Sequence, residues 1–412
     1  MACGDPRAPL GKERSAMGRL RMYNVQFGDA FLLYGQGENL IVDFGSIQDG
    51  FCFDFIRESI RKECAEGAVS LLLTHFHKDH WSGLRGWRTV CRMPELRRVY
   101  LPDIFQMRVP GRLDLVFRSL LGDFLGAVVL DRRLSFTLAE LLREILPGLS
   151  LEKIEFLSRR SVFHSGGTEY EVLWPRLQPQ DVMVGSKKLV DILERLEAKL
   201  PGGRDGGVWE TLDRIATVLI QDFAAFTQYV NSFTWREPVS YDALFARAQE
   251  LVEQLAEELR REEDFRQTLR GYADRLSHDW NRISLVFHEK GNGGPLMTGD
   301  VPGKTLKSLV DRKFGAPKLR EYYDVIKAPH HGTESHFCPV LPDCRCLAVS
   351  NGSGRKQYGE ISEYYEYVYG CRGKGVEICC TNPRCEFLKH VGSYIGGGCS
   401  CTPAKDFLDV RW

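Results

Sequence analysis

The chain has 412 residues, with 55 basic and 55 acidic side chains and therefore no formal net charge. Hydrophobic residues make up 43% and charged residues 27%, an ordinary globular composition that excludes a disordered or collagen-like chain. Zero net charge removes any bulk attraction to nucleic acid or membranes, so such attraction has to come from local patches.

In chain order, the first 20 residues carry charges where a secretion signal needs an apolar stretch. No run of about 18 apolar residues occurs, so no transmembrane helix is predicted. The expectation is a cytoplasmic protein with no membrane partner. Residues 22–45 alternate β-branched and aromatic residues between glycines and predict strands. Residues 51–64 predict a helix. The apolar run before Thr74 fits a strand buried on both faces. From Val99 to Pro175 strands and helices mix. Residues 181–278 carry apolar residues at helical spacing, broken at Pro201-Gly202-Gly203 and Glu237-Pro238, and predict three or four helices. Strands return from Asn281. A helical block that interrupts a resuming β-rich pattern reads as an insertion. The expected parts are 20–180 and 279–369 as two halves of one domain, 181–278 as the insertion, and 370–412 as a cysteine-rich tail.

There are 13 cysteines, an odd number, with nine between Cys338 and Cys401. Without a secretion signal this argues for reduced thiols. Cys380, Cys385, Cys399 and Cys401 could close a tetrahedral zinc site. The competing reading is a set of small buried hydrophobes.

The strongest signal is His75-Phe76-His77-Lys78-Asp79-His80, four ligand-type side chains within six residues directly after a buried strand. Imidazole and carboxylate donors suit zinc, with manganese or iron as alternatives. On an extended segment His75, His77 and Asp79 point the same way, and the Trp81-Ser82-Gly83 turn lets His80 join them.

This H-x-H-x-D-H motif resembles the metallo-β-lactamase fold superfamily. Asp43 in VDFG, Asp300 in LMTGD, and His330 and His331 in KAPHHG follow in family order. Gln26-Phe27-Gly28-Asp29-Ala30, TGD and PHHG narrow the likeness to the nuclease-like domain of the competence protein ComEC and its soluble relatives. The resemblance covers roughly residues 20–180 and 281–365. It implies an α/β fold of αββα layers, with a helical insertion and a small cysteine-rich extension. It implies one or two zinc ions, or manganese, held by His75, His77, Asp79, His80, Asp300, His330 and His331. Asp43 would brace the metal loop, and Asp300 would bridge two ions. Asp79, Asp300 and Asp29 are the expected catalytic carboxylates, although Asp29 also fits a turn-stabilising role. Two positions depart from the pattern. Asn281 stands where many members carry a further histidine, with His278 nearby, and Glu360 stands where a Gly-His-Pro segment is common. His164 and His288 have no metal-like spacing and read as surface residues. His336 reads the same way, or as a reserve behind His331.

A cation that activates water makes hydrolysis the expected reaction. Residues 84–118 carry eight arginines against three acids, and 304–327 seven basic residues against three acids. Such stretches beside metal motifs fit nucleic acid or another phosphate-bearing substrate, or are simply solvated faces. The insertion is net acidic, a poor nucleic-acid grip that suits a cap or a docking surface for a protein partner. Three functions stand: a metal-dependent nuclease or phosphodiesterase, with bacterial defence or DNA processing as its setting; a small-molecule hydrolase acting on a cyclic nucleotide, phosphoester or lactone; and a non-catalytic partner protein that keeps the fold.

Overall fold

A computed structural model describes residues 18–412 except 49, 66, 88–92, 105–112, 146–148, 177–186, 201–206, 221–239, 292, 316, 352–375 and 382–405. Among these, fourteen strands form two seven-stranded sheets. The first has the order β14 (Phe407–Arg411), β1 (Arg19–Tyr23), β2 (Ala30–Tyr34), β3 (Glu38–Phe44), β4 (Ala68–Leu72), β5 (Leu96–Pro102), β6 (Ile154–Leu157). The second runs β13 (Glu377–Cys380), β12 (Asp343–Val349), β11 (Tyr322–Lys327), β10 (Pro295–Met297), β9 (Val286–Glu289), β8 (Thr168–Trp174), β7 (Val162–Ser165). Each sheet is antiparallel on one side and parallel on the other, with the change at β3 in the first and β10 in the second.

Strand alternation explains the layering. In β2, Phe31 and Leu33 join the core shared with Phe163, Val172, Phe287 and Val325 of the other sheet. Ala30 and Leu32 turn to the opposite face and its helices. In β4, Leu71 faces the helices while Leu72 faces the other sheet. This is the strand buried on both faces that the apolar run before Thr74 predicts. The outer face of the second sheet packs against α8 (Gly303–Val310) through Leu306 and Leu309. The result is the expected α/β sandwich of helix, sheet, sheet and helix layers.

The helices over the first sheet are α1 (Asp54–Glu63), α2 (Leu115–Leu130), α3 (Thr137–Ile145), α4 (Lys187–Glu197), α5 (Val208–Ile220), α6 (Ser240–Glu258) and α7 (Glu263–Ser277). α2 is apolar over most of its circumference, interrupted by Arg118 and Asp123, the mark of a helix with neighbours on several sides. It starts where Asp114 caps the Phe117 amide at 2.9 Å. Leu120, Phe124 and Val128 of α2 share one apolar core with Leu212 of α5, Leu255 of α6, Leu269 of α7 and Val69 of β4. α4 to α7 are thus tied to the outer face of the first sheet through α2.

Of the proposed thiolate zinc set, Cys385, Cys399 and Cys401 lie outside the described residues. Cys380 is buried in the core beneath α8, and its neighbour Cys379 lies 3.1 Å from Cys346, sulfur to sulfur. Glu360 also lies outside the described residues. No helix among those described is long and apolar enough to cross a membrane.

One shared core implies joint unfolding. Phe124→Ala should cost about 3–5 kcal/mol. Urea denaturation followed by far-UV dichroism and tryptophan fluorescence should give one coincident transition. Two separated transitions would mean that the helical layer folds independently of the sheets.

Candidate metal centre

The centre lies beyond the C-terminal ends of the parallel strands, where open α/β sheets present their ligand sites. From the first sheet come Asp43 at the end of β3 and the loop after β4. From the second come Asp300 after β10, Lys327 at the end of β11 with His330 and His331 following, and Ser350 after β12. Side chains separated by over 250 residues in sequence therefore meet at one edge of the sandwich.

Four donors converge tightly. His80 Nε2 lies 3.0 Å from Asp300 Oδ2 and 4.0 Å from Asp79 Oδ2. His331 Nε2 lies 3.3 Å from Asp79 Oδ2 and 3.5 Å from Asp300 Oδ2. A tetrahedral cation with bonds of about 2.0–2.1 Å has donors about 3.3 Å apart. The set therefore has the dimensions of a single-cation site, and its four ligand atoms lie within 4.8 Å of one another. His331 Nε2 is buried without any hydrogen bond, as a nitrogen reserved for a cation would be. Beside this set, His75 Nε2 and His77 Nδ1 face each other at 2.9 Å, and His75 Nε2 stands 3.9 Å from Asp300 Oδ2.

The remote nitrogen of every imidazole is held. His80 Nδ1 donates to Asp43 Oδ2 at 2.8 Å, and His331 Nδ1 to the Ser350 carbonyl at 3.0 Å. His77 Nε2 donates to the Ser277 carbonyl at the end of α7, at 2.6 Å. Thr74 Oγ1 donates to Asp43 Oδ2 at 2.7 Å and so accepts from His75 Nδ1 at 3.1 Å. With the remote nitrogens so held, it is the near nitrogens that turn to a cation once they give up their protons, the usual arrangement behind ligating histidines.

Backbone geometry is strained at the same points. Asp43, His330 and His331 have φ of 56°, 46° and 59°, left-handed values that non-glycine residues rarely adopt. The turn carrying Asp29 needs glycine. A Cβ on Gly28 would stand 2.4 Å from the Gly45 carbonyl oxygen, and one on Gly45 would stand 2.5 Å from the Asp79 carbonyl carbon. That close packing lets the Asp29 amide donate to the Asp79 carbonyl at 3.0 Å.

Asp29 lies behind the donors. Its Oδ1 is 3.2 Å from His331 Nδ1 and its Oδ2 is 2.5 Å from Lys327 Nζ. Asp29 thus contacts the far side of the imidazole and does not join the four-donor set; it groups instead with Asp43 and His80, ligand atoms within 4.8 Å of one another. Asp43 braces His80 and the Thr74 backbone, as the resemblance implies. Of the two late histidines, His331 enters the donor set. His330 Nε2 lies 3.8 Å from Asp300 Oδ2, and its ring lines the adjoining cleft.

Lys327 was not singled out by the sequence. Its Nζ lies fully buried, 2.8 Å from the Gly299 carbonyl, 3.1 Å from Asp300 Oδ1 and 2.5 Å from Asp29 Oδ2. The available signal was a lysine ending an apolar strand directly before the histidines. His288 and His336, read as surface residues, are buried. β9 is covered on both faces, and His288 Nδ1 bonds Tyr323 Oη at 2.8 Å. His336 stacks on His330 with ring centres 3.9 Å apart. His164 and His278 are exposed.

Burial alone would raise the Asp79 and Asp300 carboxyls, but His80, His331 and, for Asp300, Lys327 hold both low. Burial opposes charge on His80 and His331, but the facing aspartates win; His80 is pushed well up and His331 to about 9. Lys327 is held protonated against burial by Asp29 and Asp300. Burial pushes His75 well down, with the charge of His80 adding to it.

A cleft of about 480 Å³ opens onto the centre between the metal loop, α2 and α7. His77, Asp79 and His330 line its inner end, Asn281 lines its wall, and its cations are Lys78, Arg132 and Arg270. The basic stretches noted in the sequence contribute none of these. Arg97 pairs with Glu38 at 3.3 Å, Arg118 with Asp279 at 2.6 Å and Lys318 with Glu321 at 3.5 Å.

No known protein-family profile matches the chain, and no curated protein matches it. Among solved structures it is similar to a metallo-β-lactamase from Pontibacter korlensis, at 12% identity and TM-score 0.22, covering 40% of this chain and 59% of that one. It is also similar to a metallo-β-lactamase family protein from Thermus thermophilus, at 18% identity and TM-score 0.23, covering 60% and 94% of the two chains. A β-lactamase domain protein from Burkholderia ambifaria aligns at 16% identity and TM-score 0.25, over 60% and 88%. The chain spans less than two thirds of the Pontibacter protein's length. The chemistry of the centre follows from its own donors, which fit a divalent cation.

Two outcomes test the centre. Cation binding must displace the proton on His331, whose pKa is raised from about 6.5 to about 9. Apparent affinity should therefore rise with pH across that window, with the raised His80 adding to the same trend. Calorimetric titration with zinc at pH 7.5 should release protons, read as heats that differ between buffers of different ionisation enthalpy; identical heats would refute the charge assignment. Asp43→Asn keeps every donor but loses the acceptor behind His80. It should weaken zinc roughly 10–100-fold in competition with a chromophoric chelator.

Proposed function

We propose that the chain is a metal-dependent hydrolase acting on a phosphodiester, with a substrate of about nucleotide size. The observation that carries this reading is the cleft, in which Asp79 of the cation-sized donor set shares one volume with His77, His330, Arg132 and Arg270. A volume of about 480 Å³ falls in the range of small-molecule sites, about 300–1,000 Å³. Its walls mix Lys78, Arg132 and Arg270 with the carboxyls Asp274 and Asp123, the latter raised to about 7 by burial, and with apolar side chains, Phe27, Ile47 and Leu130 among them. That mixture suits an anionic ester joined to an apolar or aromatic group better than a lactam. The ComEC-like motifs, Gly28-Asp29-Ala30 and Pro329-His330-His331-Gly332, also favour phosphodiester chemistry. They keep a DNA or RNA nuclease, acting on a strand end, as the second reading.

Asp79, His80, Asp300 and His331 would hold the cation, with His75 and His77 beside it. A bound divalent ion, zinc or manganese by donor type, supplies a water-derived nucleophile at neutral pH and offsets charge on the phosphoryl oxygens. The protein's own groups do the rest. Lys327 occupies Asp300 Oδ1 and so directs Oδ2 toward the donors. Arg132 and Arg270 attract and orient the anionic ester. His330, whose Nδ1 pairs with Thr333 Oγ1 at 2.7 Å, is kept neutral by burial and lines the cleft beside Asp79 as a hydrogen-bonding wall for the ester.

Purified chain loaded with zinc or manganese should hydrolyse bis(p-nitrophenyl) phosphate and at least one cyclic nucleotide, single-stranded DNA or RNA. Asp79→Ala should reduce this to background. Turnover of a β-lactam or lactone with no phosphoester cleavage would refute the proposal. Full metal loading with no hydrolysis of any member of the panel would favour a non-catalytic role.

A further inference from the structure

We infer that Asn281 is a substrate-recognition residue whose side-chain amide hydrogen-bonds the phosphoester in the cleft. The inference rests on the phosphodiester reading above and names the group that recognises the ester.

Asn281 is 1% exposed, and neither its amide nitrogen nor its amide oxygen has a hydrogen-bond partner. Buried amides are nearly always paired, and leaving one unpaired destabilises the fold, so an orphaned one calls for a ligand. This one lines the same cleft as His77, Asp79 and His330.

The backbone that carries this amide is held in place. It sits in a six-residue helical turn, His278–Ile283, that is held on both sides. Asp279 is gripped by Arg118, with Nε at 2.7 Å and Nη2 at 2.6 Å. Trp280 packs edge-on against Phe76 of the metal loop, ring centres 4.9 Å apart. The Asn281 carbonyl accepts from Ser284 N at 3.2 Å, while Ser284 Oγ accepts from Asp300 N at 3.1 Å. One short segment thus fixes both the recognition amide and the donor carboxylate Asp300.

The chemistry matches the cleft. Arg132 and Arg270 supply charge and planar guanidinium donors, and the Asn281 amide adds neutral N–H donors and a carbonyl acceptor. Nδ2 donates to a phosphoryl oxygen that is not displaced. Oδ1 accepts from a hydroxyl or amino group on the esterified organic part, as a nucleotide offers.

The test uses the full chain loaded with zinc, as wild type, Asn281→Ala, Asn281→Leu and Asn281→Asp. Four quantities are measured: metal content, thermal midpoint, affinity for inorganic phosphate by calorimetry, and kcat and KM on bis(p-nitrophenyl) phosphate. The Ala and Leu variants should keep full metal content and melt at or above the wild-type temperature, because they remove an unpaired buried amide. Their phosphate affinity should fall tenfold or more, with KM rising accordingly. Asn281→Asp should bind phosphate more weakly still. Loss of metal in Asn281→Ala would make the residue a cation ligand and overturn the assignment. A lowered melting temperature with unchanged phosphate affinity would make the amide structural and overturn it equally. Should the wild type cleave no phosphoester at all, the phosphodiester reading falls, and the phosphate affinities and melting temperatures still decide the role of Asn281.

Discussion

Four carboxylates, Asp29, Asp43, Asp79 and Asp300, are buried around two imidazoles, and that concentration of negative charge is the constraint on which the rest depends. Ionised carboxylates taken out of water cost several kcal/mol each unless they are paired. Lys327 supplies one positive charge, shared between Asp29 and Asp300. Protons on His80 and His331, or a divalent cation between them, supply two more, and burial raises the Asp43 carboxyl toward its neutral form. The fold therefore selects for positive charge at the point where the donor distances match a single ion. Binding of such an ion would exchange protons for metal, with no need to build a site from nothing. The same charge balance explains why Lys327 lies on the outer side of Asp300: an ammonium among the four donors would occupy the place of the ion.

The sandwich supplies that arrangement through strand direction. Both sheets change from antiparallel to parallel pairing at the strand next to the centre, so the ends of β3, β4, β10, β11 and β12 all open on one edge. Side chains leaving those ends need no long loops to meet. The remaining adjustment is made by the backbone itself, in the left-handed conformations of Asp43, His330 and His331. Such strain persists only where surrounding bonds over-determine it, and here each of these residues is tied through its side chain.

What could be read in the sequence follows from how local each feature is. His75 to His80 stood out because four donor types crowd one short segment after an apolar strand. Asp300 and His331 were legible only through the order of motifs, since nothing local ties them to the metal loop. His330 and His331 could not be separated, because their difference lies in two adjacent left-handed residues that send the rings different ways. Lys327 was hidden within a basic stretch, where charge counting treats a buried ammonium and a solvated one alike. The stretches themselves lose much of their meaning in three dimensions: Arg97 and Arg118 find Glu38 and Asp279, 59 and 161 residues away. The strand β14, within the cysteine-rich tail, pairs with β1 at the opposite end of the chain, and Arg21 binds Asp409 at 2.7 Å. A pairing across 388 residues leaves no periodic signal. The Ser277 carbonyl that holds His77 leaves none either, because every residue has a carbonyl.

That last bond ties the helical layer to the chemistry. α7 forms a wall of the cleft, and its terminal carbonyl orients an imidazole at the metal loop. α7 also packs along α2, which belongs to the core over the first sheet. Displacing α7 to admit a larger substrate would therefore free the His77 ring and expose apolar surface shared with α2. The cleft can widen only by disturbing the centre it serves. A wall of this kind couples the width of the cleft to the stability of the fold.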